Sequence, residues 1–417
     1  MLLARSLHRL IRVGTLKVID AHGRTHRFGD GKAPRAAIRL HDPRLHNRLF
    51  FRPSLALGEA YMDGTLTIEE GDLYGFLDLV LGNLDRIESN GQKHPVQTFY
   101  EACQRALRPL RTFNPVSRAK RNVAHHYDLS GRLYDLFLDK DRQYSCAYFT
   151  SGNESLEVAQ DNKKRHIAAK LRLAPGQRVL DIGSGWGGLG LYLARSVEDL
   201  RVTGVTLSEE QIKVARARAE ADGLADRVRF ELQDYRNVTE PFDRIVSVGM
   251  FEHVGPNHYV EFFRKVKDLL TDDGVCLLHS IGRSDGPGST GPWLRKYIFP
   301  GGYSPALSET VSAIEKVGLW ITDVEILRLH YAKTLNEWRR RFMHHRAEIK
   351  SLYDERFCRM WEFYLAACEA AFHHLRQMVF QVQITKRLET LPLTRDYMLD
   401  WERTHDGVGD LSANARA

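Results

Sequence analysis

A thiol, a carboxyl, an imidazole and a phenol stand out because each falls in a short motif rather than in a periodic run. Cys146 lies in "YSCAYF" (144–149), Glu252 in "MFEHVG" (250–255), His279 in "LLHSIG" (277–282) and Tyr331 in "LHYAKTL" (329–335). Groups of these types hold ligands by hydrogen bonds and pass protons. Each also has a plain structural reading: Glu252 as a helix N-terminal acid, His279 as a satisfied core histidine, Tyr331 as packing, and Cys146 as a small buried hydrophobe. A further stretch, "VLDIGSGWGGLG" (179–190), sets Asp181 directly before a loop in which Gly183, Gly185 and Gly188 match G-x-G-x-x-G.

That loop follows a strand pattern and opens a helix pattern, the context in which such glycines cradle a nucleotide. They let the backbone turn sharply and approach a ligand closely; a tight turn without a ligand is the alternative. Two details count against NAD. Asp181 would repel a pyrophosphate, and the second strand ends "GVTLSEEQ", with Thr206 where an acid for the ribose hydroxyls is expected. A zwitterionic amino-acid tail tolerates Asp181, because its ammonium can be paired. Gln211 can supply polar contacts, as can Glu209 or Glu210. An acid-terminated first strand with a glycine loop resembles the class I S-adenosylmethionine (AdoMet) methyltransferases, although Thr206 departs from their usual acid too. The resemblance puts Asp234 and Tyr235 of "LQDYRN" beside adenine, where a ring face stacks and a carboxylate accepts amino hydrogens.

The elements that must position these motifs alternate. "SLEVAQDNKKRHIAAKLRL", "LGLYLARS", "EEQIKVARARAEADG" and "HYVEFFRKVKDLL" read as helices, and "RVLDIGS", "RVTGVTLS", "RVRFELQD", "FDRIVSVGM" and "GVCLLHSI" as strands. This βαβ series predicts an α/β fold, a Rossmann-like sheet with helices on both faces, whose ligands bind beyond the carboxyl ends of the strands. Residues 1–100 read as a separate small α+β domain with a packing or lipid-docking role: "TLKVIDAHGRTHRFGD" turns like a hairpin, "RAAIRLHD" and "GTLTIEEG" are further strands, and "DLYGFLDLVLGNL" is a helix. A basic helical linker (101–123) would join it to a catalytic domain at 124–417. The run "RFCRMWEFYLAACEAAFHHLRQMVFQVQI" (356–384) is expected to be helical, and 283–305 to be a mobile cover over an apolar tunnel.

Composition bounds the rest. The 417 residues carry 43% hydrophobic residues, a net charge of +7 and five scattered cysteines without a CxxC pair. No apolar run is long enough to span a membrane, the start lacks the continuous apolar segment of a secretory signal, and the cysteines fit a reducing cytoplasm and no cysteine metal site. Residues 102–127 hold six Arg/Lys and no acid. A solvated linker explains this, as does an anionic partner; with no nucleic-acid motif present, a lipid surface is favoured over nucleic acid.

Together the motifs resemble the cyclopropane-fatty-acyl-phospholipid synthases and the related mycolic acid cyclopropane synthases. The likeness runs from "AHHYDLSGRLYDLFLDKDRQYSCAYF" at 124, through "WLRKYIFPGGYSP" (293–305), to "LPLTRDYML" near 399. It implies transfer of a methylene from AdoMet to the cis double bond of a phospholipid acyl chain, through a carbocation that loses a proton to bound bicarbonate. The bicarbonate cage then maps onto Cys146 (through its amide), Glu252, His279, Ile281 (backbone) and Tyr331. Tyr144 and Ser145 join Gly183 and Gly185 at the AdoMet tail. Glu252 and bicarbonate would need a shared proton. The chemistry uses no thiol nucleophile, so Cys368 has no assigned role. The resemblance further implies a homodimer working peripherally at an anionic bilayer surface. The alternatives are a lipid C-methyltransferase giving branched or methylene chains, a small-molecule N-methyltransferase, and a non-catalytic lipid-binding protein.

Overall fold

The computed structural model describes residues 2–89 and 130–405. The linker at 101–123 and the whole basic stretch 102–127 lie outside the described residues. By contacts the chain divides into two compact units. One draws on Met1–Leu107, Ser289–Pro300 and Tyr331–Gln377; the other on Arg108–Gly288, Gly301–His330 and Met378–Ala417.

In the first unit, β1 (Thr15–Ile19) and β2 (Thr25–Gly29) form the expected hairpin. β3 (Arg35–Leu40) runs parallel to β1, and β4 (Leu66–Glu70) antiparallel to β3, in the order β2-β1-β3-β4. The helix Leu73–Ser89 buries Leu73, Phe76, Leu77 and Leu79. Its buried Asn83 accepts from Arg12 N and Val13 N, both at 2.9 Å, and so satisfies backbone donors ahead of β1.

The linear reading keeps 124–417 together, whereas the contacts group Ser289–Pro300 and Tyr331–Gln377 with the N-terminal segment. The reason is packing. The helix Glu355–His374 lies against the helices Pro53–Met62 and Leu73–Ser89. Phe363 meets Tyr61 at 6.2 Å, and Trp293 of the short helix Pro292–Tyr297 fits against Gly58, with its indole N–H on Met62 Sδ at 3.2 Å.

The second unit holds a seven-stranded sheet in the order β10-β11-β9-β8-β5-β6-β7. The strands are β5 (Arg178–Ile182), β6 (Arg201–Thr206), β7 (Val228–Leu232), β8 (Phe242–Val248), β9 (Leu270–Arg283), β10 (Trp320–Leu327) and β11 (Gln377–Thr385). The pairings among β7, β6, β5, β8 and β9 are parallel, and β10 pairs antiparallel with β11. β5 and β6 are buried on both faces, as helix-covered parallel strands must be. The helix Leu156–Leu171 starts at Ser155, whose Oγ accepts from Val158 N; Ser208 caps Glu209–Ala221 in the same way. This is the expected α/β methyltransferase-type sheet.

One expectation fails. The run 356–384 is not one helix: it ends at His374, turns through Arg376 (φ +56°) and continues as β11. Val379, Val382 and Ile384 are β-branched and fully buried between neighbouring strands, which favours extended chain over helix. Within 283–305, expected as a cover, lie the helix Pro292–Tyr297 and the buried Trp293 and Ile298. No described helix is long and apolar enough to cross a membrane.

Candidate active site

β5 has β6 on one side and β8 on the other, so the loop after it sits where the strand order reverses. Such a switch point opens a crevice beyond the strand ends. Gly183 N and Ser184 N both donate to Val205 O, at 2.9 and 3.0 Å, lashing the loop to β6. Gly183 has φ +86°, and a Cβ on it would lie 2.9 Å from Met250 Cβ. Backbone and space alike therefore call for glycine.

One cavity occupies this crevice. Tyr144, Ser145, Asp181, Gly183, Gly185, Thr206, Gln211, Asp234 and Tyr235, the residues that the sequence assigns to AdoMet, all line it. Thr206 Oγ1 donates to Gln211 Oε1 at 2.9 Å, which leaves the Gln211 amide N–H groups as its donors. Asp234 is already in a bidentate pair with Arg236 (2.9 and 2.7 Å), whose guanidinium stands 5.7 Å from the Tyr235 ring. Burial opposes ionisation of Asp234, but the Arg236 bonds hold its carboxyl below the usual range.

Asp181 is 2% exposed, and its Oδ2 is buried with no partner among the described residues. Burial, only partly offset by the Lys163 charge, pushes its carboxyl up to about 7. A buried oxygen of this kind suits a ligand that brings its own hydrogen-bond donor.

The segment 144–149 is fixed by the helix Leu156–Leu171. Gln160 Nε2 donates to Gln143 O and Ser145 O (3.2 and 3.0 Å), Tyr148 N donates to Ala159 O, and Phe149 N donates to His330 Nδ1. The Tyr148 ring stacks on His166 at 4.2 Å and on His330 at 4.9 Å. Lys163, fully buried, donates to Gln143 Oε1 at 2.6 Å and to Ser145 Oγ at 2.8 Å. Gln143 Nε2 donates onward to Asp141 Oδ2 at 2.9 Å, and Asp141 also pairs with Lys164 and Arg218. Burial disfavours the Asp141 anion, yet these cations hold its carboxyl well below the usual range.

The second constellation is partly assembled. The turn Phe251–His253 follows β8 and is anchored by Phe251, which stacks on Tyr259 at 4.3 Å and meets Phe262 and Phe263. Glu252 is thereby turned inward. Its Oε1 accepts from Ile281 N at 2.6 Å, so the Ile281 amide serves the carboxyl. Burial pushes Glu252 up to about 7, against the backbone bonds. His279 lies on β9, its carbonyl accepting from Gly249 N at 3.0 Å and its Nδ1 bonded to Gln381 of β11 at 3.1 Å. Burial, aided by the Lys163 charge, lowers His279 to about 3, so the ring is neutral. With the Gln381 amide N–H as donor, Nδ1 accepts and Nε2 carries the hydrogen.

Cys146 is buried, and its thiol donates to Ala147 O at 3.3 Å. Tyr331 belongs to the other unit, where its ring packs on Trp338 (5.8 Å) and Phe372 (4.8 Å). Burial pushes the Cys368 thiol up to about 12, which makes it a poor nucleophile.

Gly249 joins the two constellations: it lines the cavity, donates to His279 O, and a Cβ on it would stand 4.0 Å from Ser145 Cβ. Sequence reasoning missed Gln143, Arg236, Lys163 and Gln381. Lys163 gave no local signal, because the helix Leu156–Leu171 is buried nearly all round and carries charged residues at buried positions.

A family model described as "Mycolic acid cyclopropane synthetase" matches residues 115–382, and one described as "Domain of unknown function (DUF7884)" matches 7–89. The "Cyclopropane-fatty-acyl-phospholipid synthase" of Escherichia coli (strain K12) is 39% identical over 362 residues, covering 86% of this chain and 90% of that one. A "Probable fatty acid methyltransferase" of Pseudomonas putida is 34% identical over 406 residues, covering 94% and 97%. Among solved structures, mycolic acid cyclopropane synthase CmaA1 complexed with SAH and CTAB aligns with a TM-score of 0.60 and 32% identity, over 65% of this chain and 99% of that one.

Proposed function

Because the chain belongs to the mycolic acid cyclopropane synthetase family, we propose that it converts cis double bonds of phospholipid acyl chains into cyclopropane rings, with bicarbonate as the base. At the coarser level it is an AdoMet-dependent methyltransferase, either a cyclopropane-fatty-acyl synthase or a related lipid methyltransferase. The observation that carries the finer reading is the shared turn after β8. Val248, Gly249 and Met250 line the cavity, and Glu252, two residues on, is bonded to β9.

The residues fit AdoMet. Asp181 offers a buried unpartnered oxygen, and Gly183 brings bare backbone to the cavity. In this reading Tyr144, Ser145, Gly183 and Gly185 hold the amino-acid tail, and Thr206, Gln211, Asp234 and Tyr235 the nucleoside. AdoMet, when bound, supplies an electrophilic methyl on a sulfonium.

Glu252 is balanced between its two protonation states near neutral pH and can share a proton with bicarbonate rather than repel it. Neutral His279 donates from Nε2 to orient that anion. The Cys146 amide and Tyr331 are the further ligands that the family likeness implies. Ile281 acts one step removed, by fixing Glu252 Oε1. The N-terminal segment and the basic linker would bring a homodimer to an anionic bilayer surface.

Gas chromatography of acyl chains after incubation with AdoMet, with and without added bicarbonate, tests the reading. Ring product that rises with bicarbonate supports it; no acyl product, or a rate indifferent to bicarbonate after careful depletion, counts against it. The second reading, a methyl-branched product, is favoured by the likeness to the probable fatty acid methyltransferase, and the same chromatogram separates branch from ring.

A further inference from the structure

Lys163 has no role in the chemistry above, yet it is the fully buried cation nearest to the segment 143–145. Burying an ammonium is costly unless every hydrogen finds an acceptor. Two of them go to Gln143 Oε1 and Ser145 Oγ, at 2.6 and 2.8 Å, and both of those residues line the cavity. The charges that face it are Asp139, Asp141 and Asp181, with Lys164 beside it and Cys146 and His279 also within range.

Burial lowers Lys163 to about 8, against the charges of Asp139 and Asp141, so at pH 7 its Nζ is an ammonium, which only donates. Ser145 Oγ must therefore accept from Lys163, and its own O–H hydrogen is left to donate elsewhere. Gln143 is fixed in the same sense, its oxygen accepting from Lys163 and its Nε2 donating to Asp141. A lysine thus sets the direction of the hydrogen bonds along this wall.

We propose that Lys163 is a positioning residue that holds Ser145 as a hydrogen-bond donor into the cavity and so selects the anionic carboxylate end of the AdoMet tail. This rests on the AdoMet reading of the cavity. It assigns tail recognition to a side chain on the helix Leu156–Leu171 rather than to the glycine loop alone.

The test compares two ligands by calorimetric titration of the full chain. S-adenosylhomocysteine carries the amino-acid tail; 5′-methylthioadenosine shares the nucleoside and thioether but lacks it. Lys163→Met should weaken S-adenosylhomocysteine by about tenfold or more, the size of a lost hydrogen bond to a charged group, and leave 5′-methylthioadenosine within about twofold. Ser145→Ala should give the same tail-selective loss, and the double variant should lose little more than either single one. Equal weakening of both ligands would mark Lys163 as merely structural and overturn the proposal, as would independent, additive losses. Should Lys163→Met not fold, Gln143→Met removes the other acceptor that aims Nζ; it should show a milder tail-selective loss, about threefold, and its absence overturns the proposal. A wild-type protein that binds neither ligand overturns the AdoMet reading itself, a pattern distinct from any of these.

Discussion

Glu252 Oε1 accepts a hydrogen bond from Ile281 N at 2.6 Å, tying the turn after β8 to the end of β9 through a buried carboxyl. Its Oε2 is buried with no partner among the described residues. Glu252→Gln preserves the shape and the amide acceptor but removes the shared proton. It should fold with a Tm within a few degrees of wild type and lose about 100-fold or more in kcat. Turnover at saturating AdoMet and a thermal melt read both, and near-normal turnover would show that the carboxyl is only structural.

Cys146 and His279 should separate sharply. The Cys146 thiol makes a local bond to Ala147 O, which a serine hydroxyl can also make, and the backbone amide survives the change. Cys146→Ser should keep within about fivefold of wild-type activity, whereas His279→Ala loses a neutral donor and should fall about 100-fold. A Cys146→Ser variant as inactive as His279→Ala would assign chemistry to the thiol.

Asp181 gives the protein a pH-dependent liability. Its folded pKa is raised from 3.8 to about 7 by burial, so the folded state binds the proton more tightly than the unfolded one. Stability from this group is therefore full below about 4, falls as pH rises, and is lost above about 7. In ligand-free protein the penalty at pH 8 is about 4 kcal/mol at most. Asp181→Asn should accordingly raise the Tm over wild type at pH 8.5 more than at pH 5, while weakening AdoMet binding. Melting curves at the two pH values check the sign, and a larger gain at pH 5 would refute it.

Gly183 and Gly176 both hold positive φ, at +86° and +76°, but a Cβ on Gly183 meets Met250 whereas one on Gly176 meets nothing within 4 Å. Each alanine substitution should cost about 1–2 kcal/mol in stability from backbone strain. Only Gly183→Ala should also weaken S-adenosylhomocysteine binding, by about tenfold or more, in a calorimetric titration. Equal affinities in the two variants would detach the glycine loop from the ligand.

The strands β5 to β9 and the helices between them were legible because buried parallel strands are short, β-branched runs separated by amphipathic ones. The cavity residues were legible because they lie within a few positions of strand ends. Lys163 was not, because a lysine in a charged helix reads as solvated; only the fold shows that its face is turned to Gln143 and Ser145. Gln381 was hidden inside a run misread as helix, and its bond to His279 joins strands about 100 residues apart, which no local pattern encodes. The grouping of Tyr331–Gln377 with the N-terminal segment depends on helix packing of the same non-local kind.

Ring closure requires that the transferred methyl lose one hydrogen, which gives the most direct measurement. The protein is incubated with AdoMet bearing a fully deuterated methyl and with vesicles of cis-monounsaturated phospholipid, and the acyl chains are weighed by mass spectrometry. The account predicts a chain that has gained one carbon with two deuterium atoms and that co-elutes on gas chromatography with a cyclopropane standard; a two-deuterium chain that co-elutes with an exomethylene standard would contradict ring closure. A chain that keeps all three would be methyl-branched, and acyl chains that gain nothing, from a protein that binds S-adenosylhomocysteine, would contradict the lipid assignment itself.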